Sequence, residues 1–128
     1  MQAVEKWTAR KGINVFAKKF IFIPINDALH WSLCVVVNPG HILSREESDP
    51  MACMLFLDSL RAHRKKKFSD KVRAWLNSEW KRINADDSDP FTSREDFPLY
   101  SPGSKSSIRA DLFRFDMLDW THNRFFAS

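Results

Sequence analysis

His30 and Asp58 are the two side chains whose types and flanking residues could do chemistry together. His30 stands directly before the apolar run 31–37, and Asp58 directly after the run 52–57. Both runs read as strands. If they pair antiparallel, the start of the first lies beside the end of the second, bringing imidazole and carboxylate to one sheet edge. A carboxylate on one ring nitrogen fixes the tautomer and stabilises the imidazolium. The other nitrogen then takes a proton from a nucleophile. A thiol activated in this way becomes a thiolate at neutral pH and attacks a peptide or isopeptide carbonyl. Taken alone, the same residues also have a simpler reading, an edge histidine and a turn-starting aspartate.

The two cysteines do not complete such a site. Cys34 lies four residues along the strand from His30, about 13 Å away in extended chain. Cys53 begins the strand whose other end carries Asp58. Both sit in apolar runs, as buried free cysteines do, and they suggest neither a disulfide scaffold nor an oxidising compartment. Ser104, Ser106 and Ser107 are serines without an announced geometry. His41 and His63 read as solvent-facing, and His122 has an uninformative context. No set of His, Cys, Asp or Glu has zinc spacing, so neither a metal nor an organic cofactor is expected.

The elements that must position the pair follow from local pattern. Residues 3–11 read as a short helix, with Val4 and Trp7 three apart and a break at Gly12. Residues 20–23 form a strand predicted to stop at Pro24 and turn at Asn26-Asp27. The strand 31–37 ends at Asn38-Pro39-Gly40. The near-continuous apolar runs 31–37 and 52–57 indicate interior strands covered on both faces. The clearest helix is 66–81, with Ser69 as a candidate cap. Its apolar spacing through Phe68, Val72, Trp75, Leu76 and Trp80 is interrupted only by Glu79. Asp86-Asp87-Ser88-Asp89-Pro90 is a loop, and 97–100 one short strand.

The 128 residues include five Trp and eleven Phe but only three Gly, which favours a packed fold. Net charge is +4, its excess spread out except at 61–67. With no coherent basic stripe, a nucleic-acid partner is not expected. The start lacks a signal-peptide layout, and no apolar run is long enough to span a bilayer. An intracellular protein away from membranes is expected, with the nucleus favoured over the cytoplasm.

The ordered motifs raise the weight of the His–Asp pair. Phe20-Ile21-Phe22-Ile23-Pro24-Ile25-Asn26, then Leu29-His30-Trp31-Ser32-Leu33, then Leu55-Phe56-Leu57-Asp58-Ser59-Leu60 resemble the Ulp1/SENP family of SUMO-specific cysteine proteases. The opening resembles its Ulp2-like branch, and the likeness covers about residues 4–83. It implies an α+β chain, a fragment of a papain-like ubiquitin-like-protease fold with a short central mixed sheet and flanking helices. It implies His30 as general base, Asp58 as its orienting carboxylate, and Trp31 lining the channel for the modifier's C-terminal Gly-Gly. Pro24 and Asn26 would shape the turn before His30, and Ser59 and Leu60 would hold the Asp loop. Trp75 and Trp80 remain core contacts. The implied partner is SUMO or a SUMO-conjugated protein.

The family pattern continues with a Gln and then Asp-Cys-Gly, expected here near 97–115. That stretch contains neither Gln nor Cys. The upstream family segment carrying a second channel Trp is also not found. Residues 1–100 are therefore expected to be a partial protease domain carrying the His and Asp, and 101–128 a divergent tail. A shifted reading frame or altered gene product is the favoured origin of that tail, and a pseudoenzyme that keeps the modifier-binding surface is the alternative.

Overall fold

Alternating side chains of β-branched and aromatic type build a four-stranded sheet whose two faces bury different clusters. A computed structural model describes residues 2–27, 29–44, 46–58 and 65–101. The tail from residue 102, together with Ser59, Leu60, His63 and His122, lies outside the described residues. Helix α1 (Gln2–Lys11) precedes β1 (Phe20–Asp27), β2 (His30–Val37), β3 (Cys53–Leu57), α2 (Lys65–Asn84) and β4 (Leu99–Tyr100). The sheet order is β1-β2-β3-β4. The first two pairings are antiparallel and β3–β4 is parallel, which makes the sheet mixed. This is the expected α+β arrangement of a central mixed sheet flanked by helices.

One face packs Ile21, Cys34, Val36, Met54 and Phe56 against Val72, Trp75 and Leu76 of α2. The other gathers Phe20, Val35, Val37, Cys53 and Leu55. β2 and β3 are thus interior strands buried on both sides, as their continuous apolar runs require. Trp75 is 1% exposed and Trp80 packs on the same cluster, so both are core contacts.

Several expected boundaries shift. β1 does not stop at Pro24 but continues to Asp27, with Pro24 opposite Leu33. Among the described strands β1 is an edge, and an edge strand tolerates a residue without an N–H. The turn consequently moves past Asn26-Asp27, because Asp27 pairs with His30, and Leu29 stands in it. Ser69 does not cap α2. It lies inside the helix and its hydroxyl donates to the Lys66 carbonyl at 3.1 Å, while α2 itself runs longer, over Lys65–Asn84. The last strand holds only Leu99 and Tyr100.

Two glycines act as expected. Gly12, at φ 63°, ends α1 in the left-handed region that disfavours other residues. Gly40 follows the β2 stop at Asn38-Pro39, where a Cβ would lie 2.3 Å from the Phe16 carbonyl oxygen. Only a bare backbone fits there.

Glu79, the polar interruption on α2, is 1% exposed and ties the two helices together. Its carboxylate accepts from Thr8 Oγ1 of α1 at 2.5 Å, Trp75 Nε1 at 3.2 Å and Arg82 Nη2 at 2.5 Å. A buried carboxylate is sustained by such donors. Arg73, also buried, donates to the Phe91 carbonyl at 2.9 Å and stacks over Phe97. Burial and the nearby Arg94 charge lower its pKa from the ordinary guanidinium value.

Candidate functional site

The β2–β3 register carries the site. Leu33 lies opposite Leu57, so one residue further Ser32 comes level with Asp58 and His30 overhangs the end of β3. Side-chain alternation puts His30 on the same face as Cys34 and Val36. It likewise puts Asp58 on the face of Met54 and Phe56. Both site residues therefore project toward the α2 side of the sheet. His30 Nε2 and Asp58 Oδ1 are 2.5 Å apart. The Asp58 side chain is 1% exposed and that of His30 16%.

A carboxylate withdrawn from water and held on Nε2 orients the ring and fixes its tautomer. In this arrangement proton exchange with a reacting group belongs to Nδ1. Trp31, the next residue, alternates to the opposite face and is 63% exposed. The structure thus brings His30 and Asp58 into contact, with Trp31 adjacent in chain but on the opposite face of the sheet.

Neither cysteine joins them. Cys34 and Cys53 are both 0% exposed. Burial pushes the Cys34 thiol up to about 12, with Arg73 partly opposing it, and pushes the Cys53 thiol up to about 12. Cys53 lies opposite Val37, at the far end of β3 from Asp58. His41 is exposed, as expected for a solvent-facing residue. Among the described residues no group of three or more His, Cys, Asp or Glu could hold a metal ion. No helix among them is long and apolar enough to cross a membrane.

A cleft of about 340 Å³ lies at the other end of the sheet, lined by His41, Glu46, Glu47, Asp49, Glu95 and Asp96 among others. It includes neither His30 nor Asp58. The residue missed from sequence beside the site is Leu29, wholly exposed and at φ 62° in the turn before His30. The available signal was an apolar residue where a turn calls for Gly or Asn.

The motif order, the sheet and the pair agree with an outside comparison. A family profile described as "Ulp1 protease family, C-terminal catalytic domain" matches residues 1–102. The chain belongs to the Ulp1 protease family. From Arabidopsis thaliana, "Probable ubiquitin-like-specific protease 2A" is 32% identical over 123 residues, covering 92% of this chain and 16% of that protein. "Probable ubiquitin-like-specific protease 2B" of the same plant is 36% identical over 125 residues, covering 91% of this chain and 13% of that protein. A solved structure, "Crystal structure of the de-sumoylating protease", superposes with a TM-score of 0.58 at 26% identity. It covers 77% of this chain and 34% of that one. The chain therefore spans about a sixth or less of the length of the two plant relatives.

Proposed function

We propose that this chain carries the general base and orienting carboxylate of a deSUMOylating cysteine protease domain, and holds no thiol of its own that can attack. The observation that carries this is the His30–Asp58 contact at 2.5 Å, with its carboxylate buried at the sheet end. In the complete reaction His30 takes the proton of a thiol, which attacks the carbonyl joining the modifier's C-terminal Gly to a substrate Lys. His30 then returns the proton to the leaving amine, and water releases the acyl group by the same route. Asp58 keeps the imidazolium stable throughout. Trp31 lies over the modifier's extended Gly-Gly tail, where only residues without side chains pass.

The name of the de-sumoylating structure supports SUMO, or a SUMO-conjugated protein, as the partner, and the names of the plant relatives support a ubiquitin-like modifier. Assignment to the Ulp2-like branch and a nuclear location belong to the same reading. So does a boundary near residue 100, in keeping with the profile's match to 1–102. Similarity to the plant proteins over more than nine-tenths of the chain extends beyond Tyr100. That favours an in-frame tail over a shifted one.

An electrophilic probe built on the SUMO C-terminus is the test. The purified chain is expected to form no covalent adduct. An adduct at any residue overturns the proposal and identifies the nucleophile.

A second reading, a non-catalytic modifier-binding module, rests on the 63% exposure of Trp31. Titration of isotopically labelled SUMO is expected to shift peaks near its C-terminus, and Trp31→Ala to abolish the shifts. A spectrum unchanged by high concentrations of the chain rules this reading out.

A further inference from the structure

The sheet has two buried faces, and the described helices account for only one of them. Val72, Trp75 and Leu76 of α2 and Val4 of α1 pack on the face of Ile21, Cys34, Val36, Met54 and Phe56. The second face gathers Phe20, Val35, Val37, Cys53 and Leu55, and the partly buried side chains packed against it are Phe22, Leu33, Met51 and Tyr100. All of these stand on the four strands except Met51, just before β3. Neighbouring strands shield a sheet side chain only from the sides, so an apolar face needs a further layer above it. Yet Val35, Val37, Cys53 and Leu55 are all 5% exposed or less.

Burial fades along this face. On β2 it passes from Val37 and Val35 through half-buried Leu33 to Trp31, which is 63% exposed. On β3 it falls from Cys53 through Leu55 to Leu57, which is 36% exposed. The covering layer therefore sits over the Val37–Cys53 end and stops short of the Trp31–Leu57 end.

The chain has one segment able to supply that layer. Tyr100 belongs to this face, and Ser101 after it is buried, its hydroxyl accepting from Lys65 Nζ at 2.9 Å. β4 ends at Tyr100, so residues 102–128 start from the border of the face. They include Leu112, Phe113, Phe115, Met117, Leu118 and Trp120. Of the other residues outside the described ones, only Met1 and Leu60 carry a large apolar side chain. Crossing four strands about 4.8 Å apart takes a small part of the segment's length.

We propose that residues 102–128 are the layer over this face, an intramolecular docking that buries the Val37–Cys53 end and leaves the Trp31–Leu57 end open. The tail is then a structural part of the folded unit, independently of the chemistry of the His–Asp pair.

Cys53 lies under the layer and Cys34 on the α2 face, so one reagent reads both sides of the sheet. A whole chain carrying Leu112→Ser, Phe113→Ser, Phe115→Ser, Met117→Ser, Leu118→Ser and Trp120→Ser is treated with iodoacetamide beside the unsubstituted chain. Mass spectrometry follows each cysteine. In the variant, Cys53 is expected to react at least about a hundredfold faster than Cys34, because local uncovering frees it without global opening. A Cys53 as slow as in the unsubstituted chain overturns the proposal. Six replacements could unfold the chain, so Phe22→p-benzoylphenylalanine, on the same face, is photolysed in the otherwise unsubstituted chain. The expected crosslink is to a peptide from 102–128 of the same molecule. Should both cysteines of the serine variant react at the unfolded rate, that crosslink upholds the proposal, and one to any other segment overturns it. A crosslink between two molecules, or a Cys53 rate in the unsubstituted chain that rises on dilution, assigns the face to a second copy and overturns it. Rapid Cys53 alkylation in the isolated unsubstituted chain leaves the face to a separate partner, and also overturns it.

Discussion

The chemical silence of the two thiols can be turned into a rate. Burial raises the pKa of Cys34 and of Cys53 from an ordinary 9.0 to about 12. At pH 7 the thiolate fraction then falls from about 10⁻² to about 10⁻⁵, and only the thiolate is nucleophilic. Neither sulfur is exposed, so alkylation proceeds through opening of the fold. With a stability of about 5 kcal/mol, roughly one chain in 10⁴ is open at any moment. The native chain should accordingly react with iodoacetamide about 10⁴-fold more slowly than the chain in urea, and the native rate should climb with added urea. Mass spectrometry of timed, quenched samples reads both cysteines separately. The same burial sets a pH dependence. Because both folded pKa values are raised, the stabilisation is complete below pH 9, where unfolded thiols are still neutral. It is lost progressively between pH 9 and about 12, at about 1.4 kcal/mol per pH unit for each thiol. A native rate within a hundredfold of the unfolded one, at either cysteine, would refute the burial argument. It would also reopen that residue as the nucleophile.

Other perturbations test the frame around the pair. Glu79→Ala removes the acceptor of the Thr8, Trp75 and Arg82 groups. With the partly exposed Arg82 contact discounted for solvent screening, urea denaturation should show a loss of about 3 kcal/mol, and Glu79→Gln a smaller one. A change under about 0.5 kcal/mol for Glu79→Ala would mean the cluster does not join the helices. Gly40→Ala forces a Cβ to 2.3 Å from the Phe16 carbonyl oxygen. A cost of about 2 kcal/mol is expected, and a neutral melting curve would contradict the close approach. His30→Ala withdraws the imidazole from a carboxylate that is 1% exposed. Stability should fall by about 1–3 kcal/mol at pH 7, with recovery in the His30→Ala, Asp58→Ala double variant. Additive losses would argue against direct coupling.

The pair was legible because strand pairing is a two-residue problem. Once 31–37 and 52–57 were recognised as neighbouring antiparallel strands, the residues flanking their adjoining ends had to meet. The register of Leu33 opposite Leu57 brings them to 2.5 Å. What stayed hidden depended on partners far away in sequence. Pro24 reads locally as a stop, yet β1 has a partner on one side only among the described strands, and an edge forgives the missing donor. Glu79 looked like a flaw in an apolar stripe until Thr8, 71 positions earlier, supplied a donor to its carboxylate. Leu29 was hidden for a different reason: its exposure and its φ of 62° emerge only once Asp27 is paired with His30. Contacts within an element, or between paired strand ends, follow from periodicity. Polar burial and backbone strain depend on which segments meet in three dimensions. For this chain, that divides the His–Asp contact, readable from alternation, from the left-handed residue beside it, which required the fold.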